Sequence, residues 1–159
     1  MCYNFEVSLG TGIAAYTLGY VLFQRNLTEK ETQYVIAFLI FTSMQFVDAI
    51  LWFSKMKTNL LNYVVTSIII PIILSMQVIY NIYFICKFQK LHHIVLLALY
   101  SFYLFYRFNG YSTPLCNNYF SSPVWGDNEL KLWELFIFAI LILYPNWNVT
   151  AFFIAVILL

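Results

Sequence analysis

The chain has 159 residues, of which 62% are hydrophobic, 21% aromatic and only 9% charged, with a formal net charge of +1. Soluble domains are near half apolar and a quarter charged, so the composition excludes an ordinary soluble globular protein. Six membrane helices of about 20 residues would use about 120 positions, which leaves about 39 for every loop and both tails. No soluble catalytic or nucleic-acid-binding domain fits in that remainder. The charge is spread without a basic tract, so nucleic acid is not an expected partner; the bilayer is. Phe, Tyr, Ile and Asn are all favoured by A/T-rich coding, so the aromatic excess is not read as a pigment or quinone pocket.

The opening Met1–Val7 holds no Lys or Arg before the first apolar run, which argues against a cleaved signal peptide. Cys2 in place of Gly excludes myristoylation. Apolar windows then predict spans over about 7–23, 33–53, 60–86, 94–108, 130–144 and 149–159. The third is long for a core of roughly 30 Å and holds Pro71, so a kink is expected there, with Ser67 one turn before it. The polar segment Asn109–Glu129, punctuated by Gly110, Pro114, Pro123 and Gly126, reads as an ordered loop. The last stretch, Val149–Leu159, rises only about 16 Å. It is either a half-span shielded by protein or the end of a chain shorter than the fold it derives from; the second is favoured. The predicted fold class is all-α: one polytopic transmembrane helical bundle of five full spans plus a short sixth apolar segment. No internal repeat supports an inverted-repeat transporter.

If the N-terminus defines side A, Lys55, Lys57, Arg107 and Lys131 lie on side A, and Arg25, Lys30, Lys87 and Lys90 on side B. That balance gives no orientation by the positive-inside rule. Cys2 and Cys116 fall on side A and could bridge if that side is extracytoplasmic; otherwise they are free thiols.

Ionisable residues within apolar spans are costly and are therefore candidate sites. Glu6 opens the first span, Asp48 lies in the second and Glu134 in the first turns of the fifth, all in the side A half. Asp48 is the deepest, about 7 to 8 Å inside. Gln45, Asp48 and Trp52 share one helical face, so Gln45 can bond Asp48 or a neighbouring helix. Gln77 and Asn81 read as interhelical glue. Ser8, Gly12, Ala15 and Gly19 form a small-residue stripe, which predicts that the first helix packs inside the bundle. No metal, cofactor or catalytic motif is present: HExxH, GxSxG and phosphate-binding glycine loops are all missing from the sequence.

The opening M-C-x-x-x-E-x-S, carried by Cys2, Glu6 and Ser8, and the Gln45-x-x-Asp48-x-x-x-Trp52 pattern cover the first third of the chain. Together they resemble a loose family of small uncharacterised multi-pass membrane proteins of bacteria and large DNA viruses. Asp48 stands where that family usually has Glu, which shortens the carboxylate's reach. The resemblance implies that Glu6 and Asp48 form one functional unit, and its longer bacterial members fit the short last span. The functional expectation is a channel- or transporter-like protein for protons or cations. Asp48 is then the central carboxylate, Gln45 its orienting partner, and Glu6 and Glu134 the vestibule, with Cys2 and Trp52 nearby. The alternative is a non-catalytic structural or interaction protein of a viral or host membrane, with the 109–129 loop as its contact surface. A homo-oligomer is compatible with either.

Overall fold

The computed structural model describes residues 4–85, 91–116, 121–126, 131–134 and 136–137. Helix α1 (Phe5–Phe23) starts where the Asn4 side chain accepts the Val7 N–H at 2.9 Å. It lies against α2 (Glu29–Thr42) and α3 (Met44–Phe53). The predicted small-residue stripe makes this contact: Ser8, Gly12 and Gly19 are buried. A Cβ added at Gly12 would sit 3.0 Å from the Phe46 ring, tighter than ordinary contact, so the ring would have to give way to any larger residue. Gly10, by contrast, faces open space.

Helix α2 opens on a capping box. The Thr28 hydroxyl accepts the Glu31 N–H, and the Glu31 carboxylate accepts the Thr28 N–H at 2.8 Å. α2 and α3 run on through Ser43, whose hydroxyl donates back to the Ile40 carbonyl at 2.6 Å and loosens the helix there. α3 ends in a Schellman turn: Met56 N–H bonds the Leu51 carbonyl at 3.1 Å, and Lys55 N–H bonds Trp52 at 2.9 Å. Lys55 and Met56 both take positive φ, 53° and 47°. The position usually filled by glycine is thus a lysine, and burial of the Met56 side chain in the core offsets the backbone cost.

The third predicted span is a continuous helical run of α4 (Leu60–Val64), a π turn (Val65–Ile69), α5 (Ile70–Tyr80) and a second π turn (Asn81–Ile85). Pro71 explains the first widening. It has no N–H to offer and its ring crowds the carbonyl four residues back, so the backbone relaxes to a five-residue step, Ile70 N–H to Val65 O. α6 (Leu91–Arg107) follows and packs on α5. Met44, Val47, Leu51, Ile70, Leu74 and Phe108 form the centre of the main core, where α3, α5 and the end of α6 meet.

One expectation needs correction, and another is met in part. The all-α reading holds for the helices, but the predicted 109–129 loop contains an antiparallel hairpin, β1 (Thr113–Cys116) and β2 (Ser121–Val124). Pro114 faces Pro123 across it. Such a pair fits a ladder position where neither residue has to donate, so the two prolines that suggested a loop are compatible with strands. Secondly, two helices among the described residues, Glu29–Phe53 and Leu60–Tyr83, are long and apolar enough to cross a membrane, rather than five or six. α6 is only 17 residues long, and α1 is diluted by glycine, threonine and Glu6. Most of the fifth predicted span and all of the sixth lie outside the described residues.

The chain between α6 and β1 is tied down by a buried polar knot. Asn62, Thr66 and Ser112 are each fully buried. The Asn62 amide donates to the carbonyls of Ser112 (2.9 Å) and Lys57 (3.1 Å). Its oxygen accepts from the Ser112 N–H and the Thr66 hydroxyl, both at 2.9 Å. All four hydrogen-bonding positions of one asparagine are thereby used. With the Thr66 proton spent on Asn62, Ser112 Oγ is the donor in the 2.7 Å Thr66–Ser112 contact. One turn on, Ser67 Oγ donates to the Gly110 carbonyl (3.1 Å) and accepts its N–H (3.0 Å).

Replacing Asn62 by Ala should destabilise the protein by about 3 kcal/mol, because it strands several buried backbone groups at once; denaturant unfolding in detergent measures this. In the same assay Gly12→Leu should cost about 1–3 kcal/mol through overpacking against Phe46. Gly10→Leu, pointing into open space, should stay within about 0.5 kcal/mol of the parent.

Candidate functional site

A cavity of about 560 Å³ lies between the faces of α2/α3, α5 and α6, bordered also by Trp125, Trp133, Glu134 and Ile137. Its walls are mostly aromatic and aliphatic: Phe41, Leu74, Tyr100, Leu104, Phe108 and Trp133 among them. A few polar groups converge on it, Gln45, Asp48, Gln77, Arg107 and Glu134, which is the usual make-up of a small-molecule site.

Asp48 projects from α3. Its Oδ1 accepts the Trp125 indole N–H at 3.1 Å. Trp125 reaches this position because the Asn62 and Ser67 contacts seat residues 110–112, the hairpin follows, and Gly126 lets the chain pass beside α6. Gly126 has φ +79°, a backbone conformation that calls for glycine, whereas a Cβ there would meet the Arg107 carbonyl only at an ordinary contact distance of 3.4 Å. Trp125 also packs edge-on to Phe108, with ring centroids 6.2 Å apart.

Glu134 is locked in a cluster. Arg107 Nε lies 2.6 Å from its Oε1, and Arg107 Nη2 3.3 Å from its Oε2. The Tyr103 hydroxyl donates to Oε1 and the Lys131 N–H to Oε2 at 2.6 Å. Tyr103 and Arg107 are one turn apart on α6, so both reach the same carboxylate. Arg107 neutralises Glu134. Asp48 has no cationic partner among the described residues and is the carboxylate that leaves the lining net negative.

The structure therefore brings together Gln45, Asp48 and Glu134 of the predicted site residues. Gln45 bonds a neighbouring helix rather than Asp48: Thr11 Oγ1 donates to its Oε1 at 3.0 Å. Glu6 is not part of the cluster. It is exposed at the start of α1, 3.4 Å from the Asn4 amide. The Phe5 and Phe53 rings, 5.7 Å apart, put it at the same end of the bundle as the close of α3, but on its outside. Trp52 packs against the main core, with its indole N–H buried and unbonded among the described residues. Cys2 and the Cys116 side chain lie outside the described residues, and so does the bridge between them.

Sequence reasoning did not single out Tyr103, Arg107 or Trp125 for the site, and it read Gln77 as glue. Gln77 instead lines the cavity with neither amide atom hydrogen-bonded among the described residues, although only 7% of the residue is exposed. No set of three or more His, Cys, Asp or Glu able to hold a metal occurs among the described residues. No protein-family model, curated protein or solved structure matches the chain.

Arg107→Leu should leave Glu134 buried and unpaired and cost about 3–5 kcal/mol, whereas Arg107→Leu with Glu134→Leu should recover most of that loss. Unfolding of the two variants in detergent checks the difference.

Proposed function

We propose that the chain is a multi-pass integral membrane protein, channel- or transporter-like, that handles a proton or other cation at Asp48. The observation that carries this reading is the carboxylate of Asp48: it lines a largely apolar cavity with no cationic partner among the described residues, while Glu134 pairs with Arg107. A charge in such a place is costly and is retained where a positive species visits it.

The membrane setting is supported by what the helices leave uncovered. Only 28% of the most apolar stretch of Glu29–Phe53 is buried. A core helix of a soluble protein would be mostly covered. Phe53, Leu60, Phe102 and Tyr106 are each more than 70% exposed, and apolar surface of that extent suits lipid better than water. The 109–129 loop, the contact surface of the alternative reading, is held down at its inner end by Asn62 and Ser67 and at Trp125 by Asp48. That arrangement favours a role for the loop in covering the cavity over a role in docking a partner.

Asp48→Asn preserves the shape and can still accept the Trp125 N–H. In proteoliposomes the parent protein should pass protons or monovalent cations down an imposed gradient, and Asp48→Asn should reduce that flux about tenfold or more. Equal flux through both proteins, or none through the parent under any gradient, contradicts the proposal.

A further inference from the structure

We infer that the cation this cavity takes is a small lipophilic ammonium, a protonated primary or secondary amine on an aromatic or alkyl body. The inference rests on the cation-handling reading of Asp48 and names its ligand class. Size is the first argument. About 560 Å³ is far more than one dehydrated metal ion fills and lies within the range of small-molecule pockets. Ligand chemistry is the second. Calcium takes six to eight oxygens and magnesium an octahedron of them, and the polar lining here is one uncompensated carboxylate, two amides and a few hydroxyls among aromatic rings.

An alkylammonium has the opposite needs. It wants one carboxylate, a few acceptors and apolar contact for its body. The Trp125 indole occupies only Oδ1 of Asp48, so Oδ2 carries no protein donor among the described residues. Gln77, on α5, borders the cavity with its amide buried and unbonded among the described residues. Tyr100, Phe108 and Trp125 supply ring surface, which attracts both the cation and its apolar body. The Arg107–Glu134 pair adds no net charge, so among the described residues Asp48 sets the sign of the site.

The test compares two molecules of one shape, phenethylamine and phenethyl alcohol, by equilibrium dialysis against the protein in lipid nanodiscs at pH 7, with empty nanodiscs as the partition control. The amine should bind saturably and about tenfold more tightly than the alcohol or better. Asp48→Asn should bring the two together. Asp48→Glu, which keeps the carboxylate, should keep the gap, and it carries the test if Asp48→Asn does not fold. Equal binding of amine and alcohol by the parent overturns the inference, as does a gap that survives Asp48→Asn or one that closes in folded Asp48→Glu. An Asp48-dependent flux of protons or potassium with no preference for the amine ends the ligand assignment but leaves the cation reading intact; absence of both ends both.

Discussion

The hydrogen bonds of Asn62 are the constraint on which the arrangement of the cavity depends. A helix surface offers no vacant backbone groups to an incoming strand of chain, so a loop that is to lie against it in a dry place needs side chains to answer its N–H and C=O. Asn62 does this for both groups of Ser112, and Ser67 does it for both groups of Gly110. These paired contacts fix the direction in which the chain leaves α6. The hairpin and Gly126 then return it to the bundle with the Trp125 indole on Asp48. The π turn before Pro71 belongs to the same construction. It spans Thr66 and Ser67, the residues that meet the loop, so the widened backbone coincides with the docking surface.

Charge is distributed in the cavity by the same economy of partners. Glu134 and Arg107 are both largely buried, and at 2.6 Å each offsets the charge of the other. Asp48 receives a neutral indole donor in place of a cation. An indole N–H stabilises a carboxylate without cancelling its charge, so the proposed cation would meet an uncancelled negative charge. A fully paired site would be structural, and a site with two open carboxylates would be hard to keep in an apolar setting. One paired and one open carboxylate meets both demands.

Much of this was legible in the residues. The small-residue stripe of Ser8, Gly12 and Gly19 named the face of α1 that packs, because close helix approach leaves few alternatives to small side chains. Pro71 announced a local departure from α geometry, though not that it would be a π turn. Asp48 and Glu134 stood out as charges in apolar runs. The Arg107–Glu134 pair could have been anticipated, since opposite charges close one predicted span and open the next on the same side. Asn62 could not be singled out in that way: its importance comes from Ser112, 50 residues later, and no local spacing links the two. The same is true of Trp125 and Asp48, 77 residues apart. Glu6 misled for the converse reason. It shares an end of the bundle with α3, but which way it faces depends on how α1 is rotated, and the stripe that buries one side of α1 leaves Glu6 on another.

Amide hydrogen exchange at Ser112, followed by NMR in nanodiscs, tests the central claim most directly. If the loop is seated by Asn62, the Ser112 N–H should exchange as slowly as the amides of the buried face of α5, despite lying outside any helix or strand. Exchange of Ser112 at the rate of an open loop would contradict the account.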